Sequence, residues 1–203
     1  MGRPRRYDID ELLDHARRLW LAGGVTDVTI RALSAASGAS NGAVYHAFGS
    51  RDGLLARVWA REAQGFLAFQ RDQVTHALNE GGPECAFVAA SLAPATYAEN
   101  DAQGARVLLS AHLDDFITSE LDDETRHRLR RLRADLGELL VELSSALWDR
   151  TDRTAVAAVQ YGVVNLPGTL LLNGKDVADP VARHVLEQAV RGIAAAPPPS
   201  RIT

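Results

Sequence analysis

Apolar residues recur along this chain at spacings of three and four, and no stretch alternates as a half-buried strand would, so the pattern predicts helices from end to end. Asp8 precedes a stripe of Leu12, Leu13, Ala16, Leu19 and Trp20, which Gly23-Gly24 closes. Thr29 caps a short helix with Ile30, Leu33 and Ala36 inward, and Gly38 turns the chain. Ser40 then caps a second short helix from Asn41 to His46. Val44 and Phe48 point inward from it, leaving Asn41, Gly42, Ala43, Tyr45 and His46 outside. A longer helix starts behind Ser50 and carries Leu54, Leu55, Val58, Trp59, Phe66 and Phe69 to about Val74.

The second half repeats the helical pattern with more apolar surface. Pro83 to Glu99 is rich in small residues, and Pro94 is expected to kink or break it. Asp101 opens a helix bearing Val107, Leu108, Leu109, Leu113, Phe116 and Ile117. Leu129, Leu132, Leu136, Leu139, Leu143 and Leu147 then mark a helix of roughly 26 residues with a long buried seam. Arg126, Arg128, Arg130, Arg131 and Arg133 begin that helix among Asp122, Asp123, Glu124 and Asp135. This spacing reads as a self-paired, solvated face rather than a second nucleic-acid patch. Arg153 to Leu172 is nearly apolar all round and needs cover on both sides, with Pro167-Gly168 bending it late. Asp179-Pro180 opens the final helix. The surplus apolar surface of these last two helices predicts a homodimer built as a four-helix bundle. The expected fold is all-α with about nine helices in total: an N-terminal three-helix domain at 1–52, a larger helical domain at 53–196 whose last two helices span about 153–172 and 180–194, and a flexible tail at 197–203.

Composition adds limits. The chain has 203 residues, 46% of them hydrophobic. No apolar run reaches the roughly 18 residues of a bilayer span, and the N-terminus lacks a signal-peptide core, so a soluble, cytoplasmic protein without membrane contact is expected. One cysteine, Cys85, excludes an intrachain disulfide and a cysteine metal cluster. The net charge of −4 is uneven: residues 1–60 hold eight arginines against six acids, a net of +2, which leaves −6 for the remainder. The positive charge travels with the paired short helices. Arg3, Arg5 and Arg6 form a basic arm in front of them, suited to phosphates or the minor groove.

A short helix whose outer face is small at its start and polar or aromatic at its end suits the DNA major groove. The run Thr29 to Leu55 resembles the helix-turn-helix of the TetR family of bacterial transcriptional regulators through Thr29, Ala35, Ser37-Gly38, Ser40, Gly42, Val44-Tyr45, Phe48, Ser50 and Leu54-Leu55. Leu33, Ala39 and Arg51 depart from the commoner choices. Thr29, Arg31, Ser40, Tyr45, His46 and Arg51 are assigned mainly to phosphates, and Asn41, Gly42 and Ala43 to base edges. The resemblance implies a homodimer formed by the last two helices. It also implies a repressor that a small molecule releases from a palindromic stretch of double-stranded DNA.

For that small molecule the pocket candidates are Trp59, Phe66, Phe87, Tyr97, His112, Phe116, Trp148, Tyr161 and Asn165, large or polar groups within apolar stretches. Asn165 and His112 are the polar groups expected on otherwise buried faces. No cofactor beyond an unidentified effector is expected. His112, Asp114, Asp115, Glu120 and Asp122 spread around a helix end and lack a second histidine at i+4, so no metal site is expected. With no phosphate loop, nucleophile elbow or Cys-His pair, an enzyme is not expected either. The alternative reading is a helical ligand-binding or scaffolding protein that does not read DNA specifically.

Overall fold

The computed structural model describes residues 8–111, 113–116, 121–172, 177 and 179–199. Every described secondary-structure element is helical: α1 Ile9–Gly23, α2 Ile30–Ser37, α3 Asn41–Phe48, α4 Arg51–Asn100, α5 Ala102–Leu109, α6 Asp123–Trp148, α7 Arg153–Gln160 and α8 Pro180–Ala195. The starts follow the expected caps. Asp8 accepts from the Asp10 N–H at 2.9 Å, Thr29 from Ala32 at 3.0 Å, Ser40 from Ala43 at 3.2 Å and Ser50 from Gly53 at 2.9 Å. Gly24 and Gly38 end α1 and α2 at φ values of 82° and 72°, which a side chain would resist.

Internal contacts divide the chain into two units, each built from two stretches of sequence. The first unit joins the described residues up to 63 with residues 106–131. Its core holds Leu12, Ala16, Trp20, Val28, Leu33, Val44, Phe48, Leu54 and Val58, each at most 3% exposed. Two ion pairs fasten α1 to α4, Arg17 with Glu62 at 3.1 Å and Arg61 with Asp14 at 2.8 Å. The later segment is held by tryptophans: the Trp20 indole donates to Ser110 Oγ at 2.8 Å and the Trp59 indole to the Ala111 carbonyl at 3.1 Å. Phe116 packs between them, 6.4 Å from the Trp20 ring and 5.6 Å from that of Trp59.

The second unit joins residues 64–105 with the described residues from 132 onward. Here α4 breaks at Gly82, whose φ of 80° and ψ of −169° lie outside any helix, so α4 is two helical segments. Phe66 meets Tyr97, Gln70 meets Ala90, and Val74 shares a cluster with Phe87, so the segments run antiparallel. Pro94 does not break the second one; the only non-helical residue inside α4 is Gly82. Leu139 and Leu143 of α6 pack with Phe87, Val159, Val163, Leu171, Leu186 and Val190 to form the core.

Four further expectations need correction. Ala36 is exposed, because spacings of three lose 60° per step around a helix and two steps carry it off the face of Ile30. The helix opened by Asp101 stops at Leu109, itself 37% exposed, and Leu113–Phe116 forms a separate 3-10 turn. Arg153–Leu172 is long and apolar enough to span a bilayer on composition, with mean hydropathy 1.4. Finally, the tail is pinned through Pro199: Arg150 donates to the Pro198 carbonyl and Thr154 to that of Pro199. Beyond α7 the helix continues through widened turns at Tyr161–Asn165 and Gly168–Leu172, which accommodate the missing N–H of Pro167.

Candidate nucleic-acid interface

Hydrogen bonds hold the turn between α2 and α3 on both sides. Ser34 and Ser37 donate their hydroxyls to the carbonyls of Ala39 and Leu33, and the Ala39 N–H reaches Ser37 Oγ at 3.2 Å. Inside the turn Ala39 is 2% exposed. Val44 and Phe48 anchor α3 from below at 0% and 1%. What remains outside is the expected face: Asn41, Gly42, Tyr45 and His46 are exposed, Tyr45 by 54%, and Ala43 is half-buried.

Two glycines of this region serve different ends. A Cβ on Gly53 would lie 2.2 Å from the Phe48 carbonyl oxygen, so glycine there lets the start of α4 cross the end of α3. A Cβ on Gly42 would meet only Ser40 Oγ, at 4.0 Å, and its backbone is helical. Glycine in an exposed helix costs about 1 kcal/mol against alanine. The packing of the fold gives no reason for Gly42.

The phosphate assignments fare unevenly. Thr29 and Ser40 accept backbone N–H groups as caps, which leaves each hydroxyl proton available to donate. Arg31 is exposed beside them. Arg51 is committed elsewhere: its Nε–H donates to the Val28 carbonyl at 2.8 Å and an Nη2–H to that of Val25 at 2.6 Å, latching the turn after α1 to the start of α4. The sequence shows its charge but not the two carbonyls within its reach. Arg3, Arg5 and Arg6 lie outside the described residues.

Sequence reasoning missed Arg57, which sits under α3 at 8% exposure. Its guanidinium carbon is 5.7 Å from the Phe48 ring centroid. It donates to Thr125 Oγ1 at 2.9 Å and pairs with Asp122 at 3.4 Å and Glu124 at 3.1 Å, around the start of α6. Burial pushes the Asp122 carboxyl up, but the Thr125 N–H and hydroxyl together with Arg57 outweigh it and hold it below its ordinary value. Arg128 first, and Arg57 second, lower Glu124. An arginine four residues after a buried Gly53, inside the run Leu54 to Val58, was the available signal. The arginines of α6 pair as expected at its start, Arg126 with Asp123 and Arg128 with Glu124.

The pocket candidates are divided between the two units. Trp59 and Phe116 belong to the first unit's packing. Phe66 meets Tyr97 edge-on at 5.4 Å, with Phe69 also 5.4 Å from Tyr97. Phe87 is fully buried against Gly162, where a Cβ would come within 2.4 Å of its ring. Trp148 donates to the Ala194 carbonyl at 3.0 Å. Tyr161 is 62% exposed. Asn165 is exposed too, against the expectation of a buried face, since the widened turn at Tyr161–Asn165 rotates it outward. His112 lies outside the described residues. Among those described, no three His, Cys, Asp or Glu side chains group as metal ligands would.

Residues 12–58 match the family described as bacterial regulatory proteins, tetR family. The whole chain shares its fold with solved regulators. The TetR family transcriptional regulator PfmR from Thermus thermophilus is 20% identical, with TM-score 0.62 over 96% of this chain and 100% of that one. The multidrug binding protein EbrR, solved with imidazole, is 20% identical, with TM-score 0.64 over 98% and 97%. The regulator FadR from Bacillus subtilis, solved with stearoyl-CoA, is 12% identical, with TM-score 0.62 over 93% and 98%. No curated protein matches the chain in sequence.

Proposed function

We propose that this TetR-like DNA-binding transcriptional regulator is a homodimeric cytoplasmic repressor that a small molecule releases from its operator. The observation that carries the reading is the outer face of α3. Asn41, Gly42, Tyr45 and His46 stand exposed on a helix capped by Ser40 and anchored by Val44 and Phe48. Asn41, Gly42 and Ala43 take the base edges: asparagine pairs with adenine, and the small residues admit thymine methyls. Thr29, Arg31, Ser40, Tyr45 and His46 take phosphates, and Arg51 holds the unit that presents them.

The second copy is supplied by the last helices. Tyr161, Val164, Val181 and Val185 are 62%, 38%, 67% and 46% exposed, an apolar surface that a second chain would cover. Two-fold symmetry then demands a palindromic operator with half-sites about 34 Å apart. Release follows if an effector in the second unit shifts α4, which begins at Arg51 beside the reading helix and carries residues of both units. Emptying a nearly full operator requires the effector to favour the non-binding state by about 5.5 kcal/mol.

A gel shift on the DNA upstream of the chain's own gene tests the reading. Retention at near-physiological salt, lost in Tyr45→Ala, supports it; binding that is sequence-blind and salt-labile sinks it in favour of a helical protein that does not read DNA.

A further inference from the structure

Pro94 interrupts the hydrogen-bond ladder of α4's second segment without breaking it. Having no N–H, it leaves the carbonyl of Ala90, four residues earlier, without its helical donor. The Gln70 amide supplies the missing donor, with Nε2 2.8 Å from the Ala90 oxygen. Gln70 is 1% exposed and sits one turn after Phe66 and one turn before Val74 on the buried side of the facing segment.

That bond determines the amide's orientation. Turned over, the amide would set its oxygen against the Ala90 oxygen, so Oε1 must point away, and Oε1 is a buried side-chain oxygen with no hydrogen-bond partner. A buried orphan acceptor is costly unless something pairs with it. A water would be poorly held, because water in a core needs two to four polar partners. Among the described residues, the only other buried polar side chains of this unit, Ser91 and Ser144, donate their hydroxyls to the carbonyls of Phe87 and Arg150. A ligand brings its own apolar body and needs only one donor. The aromatic trio of Phe66, Phe69 and Tyr97 lies toward one end of Gln70, and the aliphatic cluster around Val74 and Phe87 toward the other.

We propose that Gln70 is the polar recognition point for the effector, an apolar ring-containing molecule whose single N–H or O–H group donates to Oε1. The assignment rests on the ligand-responsive reading above.

Indole and benzofuran test this, differing in shape only by N–H against O. Calorimetry on the full-length protein should show indole bound about tenfold more tightly, the factor a buried neutral hydrogen bond commands. Gln70→Leu alone strands the Ala90 carbonyl, so the informative variant is Gln70→Leu with Pro94→Ala, which restores the backbone donor while deleting Oε1. That variant should bind both probes equally, and Pro94→Ala alone should keep the preference. Equal binding to the native protein, a preference that survives in the double variant, or no binding of either probe at millimolar concentration overturns the assignment. A parallel gel shift separates the two readings: indole bound through Gln70 without release of DNA leaves the assignment standing and removes the ligand-released repressor.

Discussion

The Arg57 guanidinium lies over the Phe48 ring at 5.7 Å and pairs with Asp122 at 3.4 Å, so one buried cation joins the last residue of α3 to the start of α6. Both contacts bear on how the end of α3 is held. Arg57→Met removes the charge and the donor fork while keeping most of the volume. The partners Asp122 and Glu124 are 33% and 58% exposed and regain water, so a loss of about 1–3 kcal/mol is expected, below that of a fully buried pair. Urea denaturation measures it. Operator affinity should fall with an unchanged salt slope, because no phosphate contact is removed. Arg57→Lys should rescue little, since lysine lacks the planar fork.

Gly42→Ala should move stability and binding in opposite directions. The added methyl meets nothing closer than 4.0 Å, so the protein gains about 0.5–1 kcal/mol of stability by thermal melt. Operator affinity measured by gel shift should drop. If both rise together, α3 does not approach a partner through Gly42.

Gly53→Ala is the counter-case. Its Cβ would sit 2.2 Å from the Phe48 carbonyl, and backbone cannot yield as a side-chain tip can. A destabilisation of about 1–3 kcal/mol or more is expected from the forced shift, with the melting temperature as readout.

The depressed Asp122 carboxyl predicts a pH dependence. A folded-state value below the unfolded 3.8 means its contribution is present above pH 3.8 and disappears as pH falls through the folded value. The melting temperature of Asp122→Asn should therefore lie below that of the native protein at pH 7. The gap should close in acid, below the folded value. A gap that persists there would place the effect in packing rather than charge.

Val185→Glu, combined with Tyr161→Glu, places charge on side chains that are 46% and 62% exposed in the single chain. Light scattering should report half the native mass, with helix content by circular dichroism unchanged. A native protein that is already monomeric at micromolar concentration would refute the assembly.

The elements were largely legible because their signals are local. Asp8, Thr29, Ser40, Ser50 and Asp179 each act on an N–H two or three residues away, and the Gly38 turn needs only its own φ. The outer face of α3 followed from periodicity once Val44 and Phe48 were placed inward. Pro94 misled because its remedy, Gln70, lies 24 residues away in sequence and is adjacent only after the chain folds back at Gly82. What covers Trp59 and Tyr97 was not legible for a related reason: aromatic type says that a ring wants cover, not which element provides it.

The sequence alone therefore determined where most helices start, which faces are largely apolar and which short helix leaves a polar and aromatic face outside, since propensity, capping and periodicity act within a turn or two. Tertiary structure decided that residues 106–131 pack with the first unit, that Arg51 and Arg57 serve as latches, and that Gln70 turns an orphan oxygen into the core. Each of these depends on donors and acceptors brought within about 3 Å from distant parts of the chain, and no local pattern encodes that meeting.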